Sequence, residues 1–258
     1  MVTGAPLDPD EVEELRRARA RVLARIEAAA RRSGHDPAGV TLVAVSKTVS
    51  AGRVRAAVAA GLDVLGENRV QEAAAKVPDV AGATWHLLGP LQGNKARRAV
   101  ELFDVLQAVD SVDLARRLDR LAGALRPGRP LPVLLQVNVA DDPAKAGFPE
   151  AAVGGVIGEL AALPNLRLDG LMTIGRLVSD PEAARPTFRT LRELSATLRA
   201  TEPRLGAALS MGMSDDFEVA VEEGATIVRV GRALFGARPA AGAADMGAPR
   251  DATEPAVS

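Results

Sequence analysis

The sequence predicts an α/β fold, a single (β/α)8 TIM-like barrel with an extra helix at its N-terminus. Eight short apolar runs alternate with helical stretches along the chain, which is the rhythm of repeated βα units. No Gly-x-Gly-x-x-Gly segment follows the first apolar run, so the open doubly wound sheet is disfavoured. The length of 258 residues lies in the range of one-domain barrels.

The first element predicted is a long amphipathic helix before the barrel. Val12, Leu15, Val22, Leu23 and Ile26 recur at helical spacing. Asp8 is the expected N-cap, Pro9 occupies the first helical position, and Gly34 ends the helix.

The barrel elements follow in order. Short apolar runs predict strands at Thr41–Ser46, Asp63–Gly66, Thr84–Gly89, Asp104–Val109, Val133–Val139, Leu168–Thr173, Ala207–Met211 and Thr226–Val230. Helical patterns between them predict helices at Gly52–Ala60, Val70–Lys76, Lys95–Leu102, Val112–Leu125, Pro149–Leu163, Pro181–Thr201 and Asp215–Glu223. The domain organisation is therefore a flexible N-terminus at 1–7, a barrel domain at 8–238 and a disordered, small-residue tail at 239–258.

Composition excludes several functional classes. Cysteine is absent, which excludes disulfides, thiolate metal sites and a cysteine nucleophile. The net charge is −1 with both signs interspersed, so neither nucleic acid nor anionic lipid is an expected partner. No apolar stretch is long enough to span a bilayer and no leader pattern opens the chain, so a cytoplasmic location is expected.

A single lysine carries the main functional signal. Lys47 closes the first apolar strand, and lysine otherwise occurs only at Lys76, Lys95 and Lys145, the remaining positive side chains being arginine. A lysine amine, unlike arginine, can have its pKa lowered by burial and then form a Schiff base with a carbonyl. The alternative is a strand-end lysine that simply extends to solvent.

Polar residues gather at the carboxyl ends of the other predicted strands, where barrels of this class hold their chemistry. The loops after the seventh and eighth strands suit a phosphate group, with Ser210, Gly212 and Gly231 as candidates. Ser214 and the two aspartates after it are expected mainly to cap the next helix. Arg229 interrupts an apolar strand, so its guanidinium lies either at the barrel rim, where it needs an acceptor, or unpaired in the core at a large cost. A lysine Schiff base, a phosphate cradle and one arginine directed at a ring nitrogen together describe pyridoxal phosphate (PLP).

Six segments of the chain closely resemble the pyridoxal phosphate homeostasis proteins, whose fold is related to the N-terminal domain of alanine racemase. The resemblance covers about Thr41 to Arg238. The segments are AVSKT from Ala44, GENRVQE from Gly66, WHLLGPLQGNK from Trp85, GLMTI from Gly170, LSMGMSDD from Leu209 and VRVG from Val228.

The resemblance implies a barrel of the alanine racemase N-terminal type, with pyridoxal 5'-phosphate as cofactor and Lys47 as its Schiff-base lysine. It further implies that the phosphate is held by Ser210 and the backbone at Gly231 and Arg232, and that Arg229 faces the ring nitrogen. Asn68 lies beside the cofactor, and His86 is a pocket neighbour. Met172 and Gly212 complete the expected cofactor-binding set, and no metal is expected.

The resemblance also implies a role in intracellular PLP (vitamin B6) and amino-acid homeostasis, as a carrier, buffer or regulator without established catalysis. Expected partners are PLP, free amino acids and PLP-dependent client enzymes, and the chain is expected to be a monomer. The alternative is a slow PLP-dependent amino-acid racemase or lyase that uses Lys47, with His86 or water as the second base. Against it, the chain has no tyrosine to serve as the second base of a racemase, and an arginine opposite the ring nitrogen makes the ring a poorer electron sink.

Overall fold

The computed structural model describes residues 6–140, 142, 145–175 and 179–236. The end of the predicted barrel domain at residue 238, the predicted tail at 239–258 and most of the predicted flexible N-terminus at 1–7 lie outside the described residues. Within the described part of the chain, no helix is both long enough and apolar enough to cross a membrane.

The predicted N-terminal helix is present as α1, Pro9–Ser33. It begins as expected, because the Asp8 side chain accepts a hydrogen bond from the Asp10 N–H at 3.0 Å. It ends at Gly34, whose φ of 74° is the left-handed conformation that glycine adopts without strain. Its apolar face packs across helices Ala51–Ala59 (α2), Phe217–Glu222 (α8) and Arg232–Phe235 (α9).

Eight parallel strands close into a barrel, which confirms the predicted fold. The order around the barrel is β1, β2, β3, β4, β5, β7, β8 and β9, and β9 pairs with β1. A two-residue segment, β6, adds to the end of β5 through the pair Val137 and Phe148. The strands are β1 Thr41–Val45, β2 Val64–Glu67, β3 Thr84–Leu87, β4 Val105–Val109, β5 Leu131–Asn138, β6 Phe148–Pro149, β7 Leu166–Met172, β8 Ala208–Met213 and β9 Ile227–Val230.

Helices connect the strands and cover the outside of the barrel. Beyond α1, α2, α8 and α9 they are α3 Val70–Lys76, α4 Ala96–Leu102, α5 Val112–Leu125, α6 Glu150–Ala161 and α7 Arg185–Thr201. Short 3-10 turns at Pro37–Gly39, Val77–Asp79, Gly93–Lys95 and Pro181–Ala184 precede or follow helices and strands. The prediction found every barrel helix except α9, a single turn too short to produce a periodic pattern.

Two apolar clusters show which way each strand residue faces. The larger lies between the strands and the helices and includes Ala44, Val228 and Val230. The smaller fills the barrel interior and includes Val43, Met172 and Ile227. Successive residues of a strand point to opposite faces. The interior face of β9 is therefore continued by Arg229 and then Gly231.

Candidate cofactor-binding site

A pocket of about 270 Å³ opens at the carboxyl-end rim, between β1 and β9. The strands are parallel with Ala44 opposite Val230, so the residues that follow them leave the barrel at the same rim. This register brings together Lys47, Gly231 and Arg232, three of the residues predicted from sequence. The pocket is also lined by Val45, Thr48, Val49, Ser50, Arg53, Phe235 and Gly236.

Lys47 reaches the pocket because of its place in the alternation of β1. Val43 and Val45 pack on the interior side, whereas Ala44 packs on the outer side. Ser46 accordingly points outward, where its hydroxyl donates to Glu67 Oε1 at 2.7 Å, and Lys47 returns to the inner side. Lys47, two residues beyond the end of β1, is thus among the residues that line the pocket.

The turn that carries Lys47 has an unusual backbone. The Val49 N–H donates to the Ser46 carbonyl at 3.0 Å, so Lys47 and Thr48 are the central residues of a β-turn. Thr48 has a φ of 66°, in a position where a type II turn favours glycine. Its N–H donates to Glu72 Oε2 at 3.2 Å.

Gly231 and Arg232 follow β9 and contact Ser214 and Asp215 after β8; this group, the Gly231 corner, supplies polar groups on the other side of the pocket. The Gly231 N–H donates to Ser214 Oγ at 3.2 Å, and Arg232 forms an ion pair with Asp215. A β-carbon at Gly231 would lie 3.4 Å from the Val45 carbonyl oxygen, in contact with β1. Glycine therefore leaves the space between the strand ends open. Ser214 was expected mainly to cap the next helix, but its hydroxyl accepts from Gly231, and the residue at the N-cap position of α8 is Asp216.

A chain of hydrogen bonds crosses the barrel interior below the pocket. Arg229 Nη1 donates to Ser210 Oγ at 2.6 Å, and Ser210 Oγ donates to Gln107 Oε1 at 2.6 Å. Gln107 Nε2 lies 2.6 Å from His86 Nδ1, and Arg229 Nη2 donates to the Thr173 carbonyl at 2.8 Å. Because β4 and β8 are not neighbours in the sheet, the bond between Gln107 and Ser210 spans the interior.

Burial shifts both ionisable groups of this chain of hydrogen bonds. Desolvation lowers the pKa of Arg229 to about 10, and the charge of Asp216 opposes the shift. Desolvation also lowers the pKa of His86 to about 4, so its ring is neutral at physiological pH, although Asp104 and Asp169 act in the opposite direction. The interior thus presents one guanidinium charge and a neutral imidazole.

The remaining predicted residues are not among those that line the pocket. Met172 belongs to the interior apolar cluster, and Asn68 is half-buried just after β2. Gly212 has a φ of 86°, and a β-carbon there would lie 2.5 Å from Ala220 Cβ. The phosphate contact predicted for Ser210 stays a prediction, since the Ser210 hydroxyl is bonded to Gln107 and Arg229. Gln107 was missed, although one amide in an otherwise apolar strand was a signal.

A buried ion pair beside the site was also missed. Glu67 Oε1 and Lys76 Nζ lie 2.7 Å apart, with side-chain exposures of 0% and 9%. Lys76 Nζ also donates to the Ser46 carbonyl at 2.8 Å. Desolvation raises the pKa of Glu67, while hydrogen bonds from Lys76 and Ser46 act against it. Among the described residues, no group of three or more His, Asp or Glu side chains is placed to hold a metal ion.

Comparison with known proteins defines the class of this fold and site. The family model of the alanine racemase N-terminal domain matches residues 10–239. Alanine racemase from Corynebacterium glutamicum has the same fold, with a TM-score of 0.63 at 20% identity over 90% of this chain and 63% of that chain. The chain is thus a barrel of the alanine racemase N-terminal class.

Two closer sets of relatives identify the family within that class. The pyridoxal phosphate homeostasis protein of Pseudomonas aeruginosa is 46% identical over 233 residues, 89% of this chain and 96% of that protein. The Escherichia coli K12 protein of the same name is 41% identical over 224 residues, 85% of this chain and 94% of that protein. The structure of PipY from Synechococcus elongatus with PLP bound has a TM-score of 0.73 at 44% identity, covering 82% of this chain and 100% of that chain. The chain belongs to the pyridoxal phosphate homeostasis protein family, as its motifs predicted.

Proposed function

We propose that this protein binds pyridoxal 5'-phosphate as a Schiff base on Lys47 and acts in PLP and amino-acid homeostasis as a carrier or buffer. The main observation in support of the proposal is that Lys47, Gly231 and Arg232 line the same pocket. A relative of 44% identity with PLP bound supports the choice of cofactor. Bound PLP supplies an aldehyde for capture by an amine and a pyridine ring that can accept electrons.

The residues of the site fit this cofactor. The amine of Lys47 would add to the aldehyde carbon, and the aldehyde oxygen would leave as water, so that a C=N bond replaces C=O without oxidation or reduction. Ser214 accepts from Gly231, and its own hydroxyl hydrogen can therefore donate to a phosphate oxygen. Since the Arg232 side chain is paired with Asp215, the part of Arg232 proposed to hold the phosphate is its backbone. The pocket volume lies near the lower end of the range for small-molecule sites, about 300–1,000 Å³.

The interior side chains favour binding over turnover. A buried guanidinium at Arg229, set near the ring nitrogen by the proposal, opposes protonation of that nitrogen and weakens the ring as an electron acceptor. A racemase would need a second base, and the candidate His86 is bonded to Gln107. Burial lowers the pKa of His86 to about 4, which makes it a weak base. A cytoplasmic location, a monomeric state and client enzymes stay predictions.

The experiment is saturation of the purified protein with PLP, removal of free cofactor, borohydride reduction and peptide mapping. We expect a visible absorbance band and a reduced adduct on Lys47. Lys47→Ala should lose both, whereas the matched control Lys95→Ala should keep both. An adduct distributed over other lysines, or none at all, would overturn the attachment site.

Turnover is tested separately. The protein loaded with PLP is incubated with single L-amino acids, and their enantiomeric purity is followed by chiral chromatography. We expect no change, since the second face of the cofactor lacks an effective base. Appreciable racemisation that disappears in Lys47→Ala would establish the racemase alternative instead.

A further inference from the structure

The turn that holds Lys47 is in a conformation that its own residues disfavour. In the part of the chain that the structure describes, Thr48 is the one non-glycine residue with a positive φ, 66°. A β-branched residue at such an angle is an outlier and persists only where the surrounding structure enforces it. The contacts of this turn therefore need to be identified.

Both neighbours of Lys47 are held by helix α3. On one side, Lys76 Nζ donates to the Ser46 carbonyl at 2.8 Å. On the other side, Glu72 accepts the Thr48 N–H at 3.2 Å. Glu72 and Lys76 are four residues apart, so they lie one turn apart on the same face of the helix. The helix thus contacts the turn immediately before and immediately after the lysine.

Glu67 completes this arrangement from β2. Its Oε1 accepts from both Lys76 Nζ and Ser46 Oγ, each at 2.7 Å. The carbonyl and the hydroxyl of Ser46 are therefore both bonded to one ion pair. Glu67 Oε2 is buried and has no hydrogen-bond partner among the described residues.

Stability alone is a poor explanation for this ion pair. Burying two charges costs desolvation, and a well-packed apolar pair of the same volume is often as stable or more stable. The unsatisfied Oε2 adds to that cost. An apolar pair could neither donate a hydrogen bond to the Ser46 carbonyl nor accept one from the Ser46 hydroxyl. The contacts made by the pair thus fix the direction of the chain as it enters Lys47.

We propose that Glu67 and Lys76 are positioning residues for Lys47: with Glu72, they hold the Ser46–Val49 turn so that the Lys47 amine is presented to the pocket. The inference rests on the proposed attachment of PLP to Lys47. It assigns the speed of that attachment to side chains that do not line the pocket. Loss of these contacts would let the turn relax and move the amine, while the Gly231 corner on β9 stays in place.

The test separates presentation of the amine from integrity of the pocket. The double variant Glu67→Gln with Lys76→Met removes both charges together and leaves no unpaired ion. Two quantities are measured in full-length protein: the rate at which PLP becomes trappable on Lys47 by borohydride, and the affinity for pyridoxine 5'-phosphate. The second compound has an alcohol in place of the aldehyde and cannot form the C=N bond.

We expect the attachment rate to fall at least about tenfold, because misplacing a reacting group by an ångström has effects of this size. The affinity for pyridoxine 5'-phosphate should change by less than about twofold, as expected for a site the substitutions do not touch. An unchanged rate would overturn the inference, and so would a parallel loss of rate and affinity, which would show a merely structural role. Absence of any adduct on Lys47 in the parent protein would instead refute the proposed function and the inference with it.

Two further variants serve as an independent test of the inference and as a control. Glu72→Gln weakens the contact with Thr48 and removes a 3.8 Å ion pair with the exposed Arg69, but it leaves the buried pair intact. It should slow attachment to a smaller extent even if the double variant fails to fold. An unchanged rate in Glu72→Gln would count against the inference in that case. The matched control is Glu202→Gln, which alters a buried carboxylate that bonds Arg204 at 2.8 Å before β8, at the opposite rim. Its attachment rate should equal that of the parent.

Discussion

Arg229 donates from Nη1 to the hydroxyl of Ser210 at 2.6 Å inside the barrel. That hydroxyl in turn donates to Gln107 on the opposite wall. Even with its pKa lowered to about 10, the guanidinium is charged at neutral pH. Ser210 is therefore the link that holds a buried charge at a defined height below the pocket.

Replacing Ser210 with alanine should destabilise the protein. The change leaves Arg229 Nη1 and Gln107 Oε1 buried without a partner, and we expect the free energy of unfolding to fall by about 1–3 kcal/mol. Urea unfolding followed by circular dichroism measures it. Thr197→Ala, which removes an exposed hydroxyl bonded to Glu193 in α7, should stay within about 0.5 kcal/mol of the parent. Equal stability of the two variants would argue against the role given to Ser210.

Ser214 and Ser210 should differ in their effect on phosphate binding. Ser214 lies beside Gly231 at the pocket, whereas Ser210 is bonded within the barrel interior. We expect Ser214→Ala to weaken the affinity for pyridoxine 5'-phosphate by about tenfold to 100-fold, the loss of one hydrogen bond to a charged group. Ser210→Ala should weaken it less. Isothermal titration calorimetry measures the affinities of both variants. A greater loss of affinity in Ser210→Ala than in Ser214→Ala would support the phosphate contact predicted for Ser210 from sequence.

The stability of the protein should fall in mild acid, because His86 is harder to protonate in the folded state than in the unfolded state. Burial lowers the pKa of His86 from 6.5 to about 4, so between these values the unfolded state binds more protons than the folded state. The stability present above pH 6.5 is thus lost as the pH falls towards 4, by up to about 3 kcal/mol from this residue. Urea unfolding at pH 7 and pH 5 should show a smaller difference in His86→Gln than in the parent. The same difference in both proteins would contradict the prediction.

Sequence periodicity predicted the eight strands and their closure, because each strand is a short apolar run whose burial is a local property of the sequence. It also placed Lys47, Gly231 and Arg232 together, since parallel strands leave the barrel at one rim. The Glu67–Lys76 pair and the bond from Gln107 to Ser210 were not predicted. Each contact depends on the directions of side chains from different elements, and those directions are fixed only in the closed barrel. The rarity of lysine singled out Lys47, and the same argument would have drawn attention to Lys76 but not to its partner Glu67.

Gly212 should not tolerate a side chain. Its φ is 86°, and a β-carbon would lie 2.5 Å from Ala220 Cβ and 2.9 Å from Phe217 Cα, so β8 and α8 would have to separate. We expect Gly212→Ala to lower the free energy of unfolding by at least about 2 kcal/mol. Gly155→Ala in α6 is the matched control, since nothing lies within 4 Å of its added carbon, and it should stabilise the protein by about 0.5–1 kcal/mol. Similar thermal midpoints for the two variants would refute the steric argument.

Thr48→Gly should make the protein more stable and leave Lys47 in position, because the contact with Glu72 is made by the Thr48 backbone N–H. Glycine adopts a φ of 66° without the cost of about 1–2 kcal/mol that an L side chain incurs there, but it loses more entropy on folding, so the net gain should be about 0.5–1 kcal/mol. Thr84→Gly at the start of β3, where no positive φ is required, should instead be destabilising.

Thermal unfolding of the two variants gives the stabilities, and borohydride trapping gives the rate of PLP attachment. A turn held in strain by its contacts with α3 and Glu67 predicts higher stability with unchanged attachment for Thr48→Gly, since those contacts involve the backbone and Ser46, and lower stability with unchanged attachment for Thr84→Gly. Destabilisation by Thr48→Gly as large as that by Thr84→Gly would mean that the turn is not strained.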